Sequence, residues 1–280
     1  MDLGLEGKVA FITGGSKGIG AACAELLARE GCDIAITARG LDGLEETAER
    51  IRAESGRRVF TVAADMSVTE DVDRAVNEAV EALGHIDIGI PCAGSSPGGL
   101  IEELTDEDWW SSMNLKFMGH VRTCRAILRH MRPRGEGSIV FVVGNDGLKP
   151  TYWETTAGAA NAADINLASA LAEQYGPLGI RVNTVNPGPV NTDRWDGLEK
   201  ALARDRSISQ DLAHELAVGS IPLGRICEPE EVAYVVAMLA SPRASFLNGA
   251  HIPVDGAQRK GLIDIPVENG QLVISANNGS

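Results

Sequence analysis

Seven short apolar runs recur along the chain, and each is separated from the next by a stretch in which apolar side chains recur at helical spacing. Runs of this length, bounded by glycine or polar residues, are typical of strands that are covered on both faces. Strand and helix in regular succession predict an α/β fold of the Rossmann type, with a doubly wound parallel sheet of about seven strands and helices on both faces. The runs are residues 9–12, 34–36, 59–62, 86–90, 139–143, 180–185 and 252–254.

The domain organisation follows from the length of the chain and from the alternation of predicted strands and helices. A chain of 280 residues fits one large α/β domain, which we expect to span residues 1–260. Residues 192–225 break the alternation and are rich in charge, so we predict a helical lobe there rather than a second domain. Residues 261–280 are predicted to form a short C-terminal extension.

Composition excludes several classes of partner. With 25 Lys and Arg against 39 Asp and Glu, the net charge of −14 argues against nucleic acid and anionic membranes as partners. No apolar run reaches the roughly 18 residues of a membrane span, and the first residues lack the features of a signal peptide. Five widely spaced cysteines without a Cys-x-x-Cys pair indicate reduced thiols and a cytoplasmic location. The scattered histidines predict no metal site.

The first predicted strand leads into a glycine-rich loop, Thr13-Gly14-Gly15-Ser16-Lys17-Gly18-Ile19-Gly20, and then into a helix. Gly14 permits a tight turn, Gly18 lets the backbone approach a pyrophosphate, and Gly20 lets the helix pack close to the sheet. The helix N-terminus offers free N–H groups and a partial positive charge to phosphates. We therefore expect a dinucleotide to bind at Gly14, Ser16, Lys17, Gly18, Ile19 and Gly20.

The end of the second predicted strand indicates which dinucleotide binds. Sites that prefer NAD tend to place a carboxylate there for the ribose hydroxyls, whereas this chain has Thr37-Ala38-Arg39-Gly40. Arg39 is suited to pair with a 2′-phosphate, and Lys17 adds a second positive charge. The sequence therefore predicts NADP(H) rather than NAD(H).

Further motifs follow in a fixed order: Asp65 after the third strand, Ala93-Gly94 after the fourth, Asn114, residues 181–192 and Pro253-Val254-Asp255-Gly256. As a set, and over about residues 5–260, they resemble the short-chain dehydrogenase/reductase superfamily. The resemblance implies that Asp65 binds the adenine, that the Pro-Gly-x-x-x-Thr segment contacts the nicotinamide, and that residues 192–225 form a lid over substrate. The cofactor residues that it adds are Asp65, Met66, Ala93, Gly94, Pro187, Gly188, Val190 and Thr192.

The resemblance also exposes a departure in the catalytic positions. The family carries a serine and then, about thirteen positions later, Tyr-x-x-x-Lys. Counting along this chain places Gly144 at the serine, Ala157 at the tyrosine and Asn161 at the lysine, and no Tyr-x-x-x-Lys occurs anywhere in it. Of the usual tetrad only Asn114 remains.

Three hypotheses about activity therefore stay open. In the first, an atypical oxidoreductase transfers hydride to or from a ketone, imine or activated alkene, and other residues replace the missing acid. The candidate catalytic residues are Asn114, Tyr152, Glu154 and Asn161. Further candidates in the same segments are Asn145 and Asp146, which flank the vacant serine position, and Asp164, one turn beyond Asn161. In the second, the fold performs elimination, isomerisation or cyclisation without redox chemistry. In the third, the chain is a degenerate subunit that supports an active homologue.

The resemblance carries an expectation about assembly as well. The helices predicted at residues 106–130 and 157–174 correspond to those that pair subunits in the family. We therefore expect a homodimer or homotetramer, or a hetero-oligomer with an active homologue, and a small organic molecule as the other partner.

Overall fold

The computed structural model describes residues 2–260, 267–268 and 271–272, and its centre is a seven-stranded parallel sheet in the order β3-β2-β1-β4-β5-β6-β7. This arrangement confirms the predicted Rossmann-type fold. The chain order reverses between β1 and β4, which is where open α/β sheets bind ligands at their carboxyl edge. The strands are β1 Val9–Thr13, β2 Asp33–Ala38, β3 Val59–Ala63, β4 Ile88–Ile90, β5 Gly137–Val142, β6 Ile180–Pro187 and β7 His251–Val254.

Helices cover both faces of the sheet, and one of them differs from expectation. The segment predicted as one helix over residues 106–130 is divided into α4 and α5 by a π-helical turn, Met113–Phe117, so Asn114 does not lie in a regular helix. Such turns contain one extra residue and are frequent at functional sites. The helices are α1 Gly18–Arg29, α2 Asp42–Ser55, α3 Thr69–Leu83, α4 Asp106–Ser112, α5 Met118–Met131, α6 Thr155–Tyr175, α7 Asp193–Asp205, α8 Gln210–Gly219 and α9 Pro229–Ala240.

The core consists of two apolar layers separated by the sheet. Successive side chains of a strand point to opposite faces, so Phe11 packs with Val76 and Phe141 on one side. Its neighbour Ile12 packs with Leu27 on the other side, beneath α1 and α9. Each such side chain contributes about 1.5–3 kcal/mol relative to an exposed one, and this fixes the sheet as a rigid platform.

Two segments lie outside the central layers. The charged lobe contains α7 and α8, which pack on each other. Beyond Lys260, the short strands β8 Val267–Glu268 and β9 Gln271–Leu272 pair antiparallel, and the rest of the predicted C-terminal extension lies outside the described residues. Across the part of the chain that the structure describes, no helix combines the length and apolar character of a membrane span.

Candidate active site

The glycine-rich loop forms a cradle at the carboxyl end of β1. Gly18 has a φ of +57°, which L side chains rarely adopt, and a Cβ at Gly20 would overlap the carbonyl oxygen of Gly14. Helix α1 begins at Gly18 with no side chain capping it, so its first N–H groups stay available to an anion. The loop therefore has the shape and polarity that a pyrophosphate requires.

The strand beside this loop is held by a threonine. Where the family has Asn-Asn-Ala-Gly, this chain has Pro91-Cys92-Ala93-Gly94. Thr13 Oγ1 accepts hydrogen bonds from the backbone N–H groups of Cys92 and Ala93, each at 3.0 Å. The hydroxyl thus joins the ends of β1 and β4 and keeps Ala93 and Gly94 at the edge of the cradle.

The two cations predicted to select NADP(H) have different surroundings. Arg39 directly follows β2 and is exposed, and its side chain has no hydrogen bond or ion pair to any residue that the structure describes. Lys17 Nζ instead lies 3.0 Å from Asp193 Oδ2 at the start of α7. Only Arg39 is therefore ready to receive a phosphate without losing an existing partner.

Asp65 and Met66 lie where the third strand ends. The Asp65 carboxylate accepts hydrogen bonds from the backbone N–H and the hydroxyl of Ser67, at 2.8 and 2.7 Å. Met66 is buried against the core. This turn leads into α3, so Asp65 has a local structural role in addition to the adenine contact that the resemblance implies.

A pocket opens next to the cradle, between the ends of β4, β5 and β6 and the helix α7. Pro187, Gly188, Val190 and Thr192 form one wall, and Thr192 caps α7 by accepting from the N–H of Trp195. A Cβ at Gly18 would lie 3.2 Å from Thr192 Cγ2, so the cradle and the pocket are contiguous. Ile19 and Gly94 also line the pocket.

The vacant serine position is filled by neighbouring side chains. A Cβ at Gly144 would overlap Asp146 Oδ1 and lie 2.7 Å from Asn161 Nδ2. Asn161 Nδ2 donates to Asp146 Oδ1 at 2.5 Å, and both side chains are buried at the pocket wall. A carboxylate and an amide therefore occupy the space around the positions that the resemblance assigns to serine and lysine. Ala157, at the tyrosine position, is buried and offers no polar group.

The structure brings only two of the four catalytic candidates into the pocket, Glu154 and Asn161. Tyr152 is exposed outside it because its hydroxyl accepts a hydrogen bond of 3.0 Å from Arg206. Asn114 lies on the π turn, where Arg122 Nη2 donates to its side-chain oxygen at 2.7 Å and holds it away from the pocket. Glu154 Oε2 lies 3.0 Å from Lys260 Nζ.

Two pocket residues that sequence reasoning missed are Lys116 and His120. They are four positions apart, the spacing that places side chains on one face of a helix, and they are 8% and 3% exposed. His120 Nδ1 lies 2.9 Å from Oδ2 of the buried Asp164 on α6, whereas His120 Nε2 has no hydrogen-bond partner in the described part of the chain. Burial raises the pKa of Asp164 although His120 opposes this, and burial lowers the pKa of Lys116 although Asp146 opposes it.

Comparison with known proteins yields similarity over most of the chain. A family model described as enoyl-(acyl carrier protein) reductase matches residues 14–257. The chain is 35% identical over 256 residues to the short-chain reductase protein NovJ of Streptomyces niveus, covering 89% of this chain and 93% of that protein. It is 34% identical over 254 residues to 3-oxoacyl-[acyl-carrier-protein] reductase FabG of Pseudomonas aeruginosa, covering 91% and 98%.

A solved structure is similar over nearly the whole fold. L-sorbose reductase from Gluconobacter frateurii, complexed with NADPH and L-sorbose, superimposes with a TM-score of 0.87 at 35% identity. The match covers 93% of this chain and 99% of that one. The similarity of fold therefore extends over most of this chain.

Proposed function

Because the chain belongs to the short-chain dehydrogenase/reductase superfamily, we propose that it is an NADP(H)-dependent oxidoreductase that acts on a small organic substrate. The observation that carries this proposal is the contiguity of the glycine cradle and the pocket at one edge of the sheet. A phosphate-binding loop that opens directly into a buried pocket can hold a dinucleotide with its reactive end beside a substrate. Ketones, imines and activated alkenes are the substrate classes that accept hydride in this way.

The choice of NADP(H) rests on Arg39. Its guanidinium is exposed beside the end of β2, with no carboxylate in the sequence Thr37-Ala38-Arg39-Gly40 to bind ribose hydroxyls. Guanidinium groups pair with phosphates through two parallel hydrogen bonds, which suits a 2′-phosphate. The NADPH in the L-sorbose reductase structure is consistent with this assignment.

The chain's own residues divide the work between binding and orientation. The backbone of the cradle and the first turn of α1 hold the pyrophosphate, and residues 187–192 border the reactive end. When bound, the nicotinamide supplies or accepts the hydride. Asp146 and Asn161 present a carboxylate and an amide to the substrate side, while Trp195 and Leu202 of α7 shield the pocket from water.

The absence of Tyr-x-x-x-Lys makes this oxidoreductase atypical. Glu154 is tied to Lys260 and accepts rather than donates, and Asp146 accepts a hydrogen bond from Asn161. Both carboxylates are therefore poorly placed to give a proton to a substrate oxygen. They are suited to stabilise a neighbouring cation, either a protonated side chain of the pocket or a cationic substrate such as an iminium ion, whose charge is lost when hydride is added.

We also propose that copies of the chain pair through α4 and α6. Trp110 on α4 is 71% exposed, and the outer face of α6 carries small exposed side chains at Ala159, Ala162 and Ala170. Small residues let two helices approach closely, and a large exposed aromatic side chain favours a covered interface. Size-exclusion chromatography with light scattering measures the predicted dimer or tetramer directly.

Titration of the purified protein with NADPH and NADH, followed by nicotinamide fluorescence, tests the proposed function. We expect selective binding of NADPH. The chain is also 31% identical over 251 residues to an acetoacetyl-CoA reductase of Shinella zoogloeoides. Acetoacetyl-CoA and the L-sorbose of the solved reductase structure then serve as first substrates for NADPH oxidation at 340 nm. Binding of neither dinucleotide contradicts the proposal and points to the degenerate-subunit alternative. Product formed without any change in the reduced cofactor points to the non-redox alternative.

A further inference from the structure

The pocket contains one buried amine that the chain leaves without a hydrogen bond. Lys116 lies on the π turn at 8% exposure, and no residue of the described chain accepts a hydrogen bond from its Nζ. An ammonium group carries three donors, and because Lys116 lines the pocket, its donors are left to whatever fills the pocket. A substrate that enters the pocket can therefore accept a hydrogen bond from Lys116 without displacing a partner of the chain.

The path of the side chain brings Lys116 to the part of the pocket next to the glycine cradle. Its stem packs on Gly94, where a Cβ would lie 3.1 Å from Lys116 Cγ, and Gly94 borders the cradle. Asp146 stabilises the charged form of the amine more than any other carboxylate does, followed by Asp164 and Glu154, while Arg194 opposes it. Lys116 therefore faces the same space as the Asp146–Asn161 pair, although it comes from a different element.

Two other nitrogen donors around this space are already engaged. Lys260 pairs with Glu154, and Trp195 Nε1 donates to Glu199 at 2.6 Å. His120 uses Nδ1 for Asp164, and its Nε2, although it has no partner in the described part of the chain, is itself fully buried. Arg194 carries a guanidinium that does not release its proton. Lys116 thus has a transferable proton, no partner among the described residues and, unlike His120 Nε2, a nitrogen that is not fully buried.

We propose that Lys116 is the general acid that replaces the missing tyrosine. In reduction, hydride adds to the carbonyl carbon, the π electron pair moves to the oxygen, and an O–H bond forms as an N–H bond of Lys116 breaks. The alcohol leaves, and the neutral amine takes a proton back from solvent water. Asp146 and Asp164 keep the amine protonated between turnovers, and the lowered pKa of Lys116 brings its proton transfer closer to neutral pH.

This inference rests on the proposed function, and three variants distinguish the acid role of Lys116 from that function. Lys116→Met removes the proton, Lys116→Arg keeps the charge without a transferable proton, and Lys200→Met removes an exposed lysine as the matched control. We expect both Lys116 variants to lose about 10²- to 10⁴-fold in kcat for NADPH oxidation with acetoacetyl-CoA or L-sorbose. The affinity for NADPH is expected to stay within about threefold, and circular dichroism verifies that each variant is folded.

A second readout does not depend on turnover. In protein labelled with [ε-15N]lysine, the signal absent from Lys116→Arg identifies Lys116, and we expect its titration midpoint below the ordinary value of about 10.4. The 15N chemical shift of the Lys116 signal should also change when NADPH is added. Suppose that the wild type binds NADPH and that Lys116→Met reduces the carbonyl compound as fast as the wild type. That result overturns the acid role and leaves the proposed function standing. An ordinary midpoint that NADPH leaves unchanged also overturns it, whereas failure to bind either dinucleotide overturns the proposed function as well.

Discussion

His120 Nδ1 lies 2.9 Å from Asp164 Oδ2, and both side chains are buried where α5 and α6 converge beneath the pocket. Neither group has access to water, so each depends on the other for its hydrogen bond. His120 also meets the edge of Phe141, at a centroid distance of 5.6 Å, which fixes its ring against the sheet. The pair is therefore a rigid polar contact inside an apolar layer.

This pair gives a prediction about stability. His120→Leu is expected to lower the free energy of unfolding by about 3–5 kcal/mol, because it leaves Asp164 buried without its partner. The double variant with Asp164→Val should recover most of that loss, since two apolar side chains replace the pair. Urea unfolding of the wild type, the two single variants and the double variant measures the coupling. If the double variant loses the sum of the two single-variant losses in unfolding free energy, that result would contradict the coupling of His120 and Asp164.

The filled serine position gives a second prediction. Gly144→Ser should lower the melting temperature by about 3–8 °C, because the new Cβ overlaps Asp146 Oδ1 and crowds Asn161. It should not raise turnover, since the hydroxyl displaces the carboxylate instead of joining it. Gly158→Ala is the matched control, because its Cβ makes an ordinary contact of 3.4 Å and favours the helix. Differential scanning fluorimetry compares the two, and a stable, more active Gly144→Ser variant would refute the overlap.

Cofactor selectivity gives a third prediction. Arg39→Ala is expected to weaken NADPH binding by about 10- to 100-fold and to leave NADH binding unchanged, because one charge-assisted contact to the 2′-phosphate is lost. Arg29→Ala removes another exposed arginine, at the far end of α1, and should change neither affinity. Fluorescence titration gives the four dissociation constants. An equal loss for both dinucleotides would mean that Arg39 contacts a part that they share.

The start of α9 gives a prediction about pH. Arg225 donates to both carboxylate oxygens of Glu231 at 2.6 Å, and the N–H of Glu228 adds a third bond, which together lower the pKa of Glu231 to about 2. A lowered pKa stabilises the fold above the unfolded value of about 4.3, and this contribution is lost as pH falls toward 2.

Glu231→Gln should therefore lower the melting temperature by about 1–3 °C at pH 7, and the difference from wild type should narrow below about pH 4.3. Glu230→Gln makes the same change of charge in the same helical turn, without an ion pair in the described part of the chain, and serves as the control. Thermal unfolding monitored by circular dichroism between pH 3 and 7 gives both curves. A difference that stays constant over this range contradicts the assignment.

Local patterns predicted the fold because a buried parallel strand needs an apolar run, and this need is visible in the sequence. All seven runs became strands, and each strand boundary lies within two residues of the predicted one. The fourth strand begins at Ile88 rather than at residue 86, because the Asp87 carboxylate turns to accept the N–H of Val9 at 2.8 Å. The glycine loop was equally readable, since only glycine fits its backbone.

The pocket was less readable because it depends on which way side chains turn. Tyr152 is three residues from the edge of α6, yet Arg206 on the lobe draws its hydroxyl outward. Asp146 reaches the reacting space only because Gly144 has no side chain there. Lys116 and His120 were not predicted as pocket residues, because their shared face depends on the irregular turn before α5.

That turn, Met113–Phe117, sets the helical phase of everything that follows it. One extra residue in a helix with 3.6 residues per turn rotates the rest of the helix by about 100° about its axis. The direction in which the His120 and Cys124 face of α5 points is therefore set by the number of residues in the turn, whatever side chains the turn contains. A one-residue deletion there would swing His120 away from Asp164 while leaving the composition of both helices intact. In this chain the spacing between Asn114 and His120 is itself a determinant of the pocket.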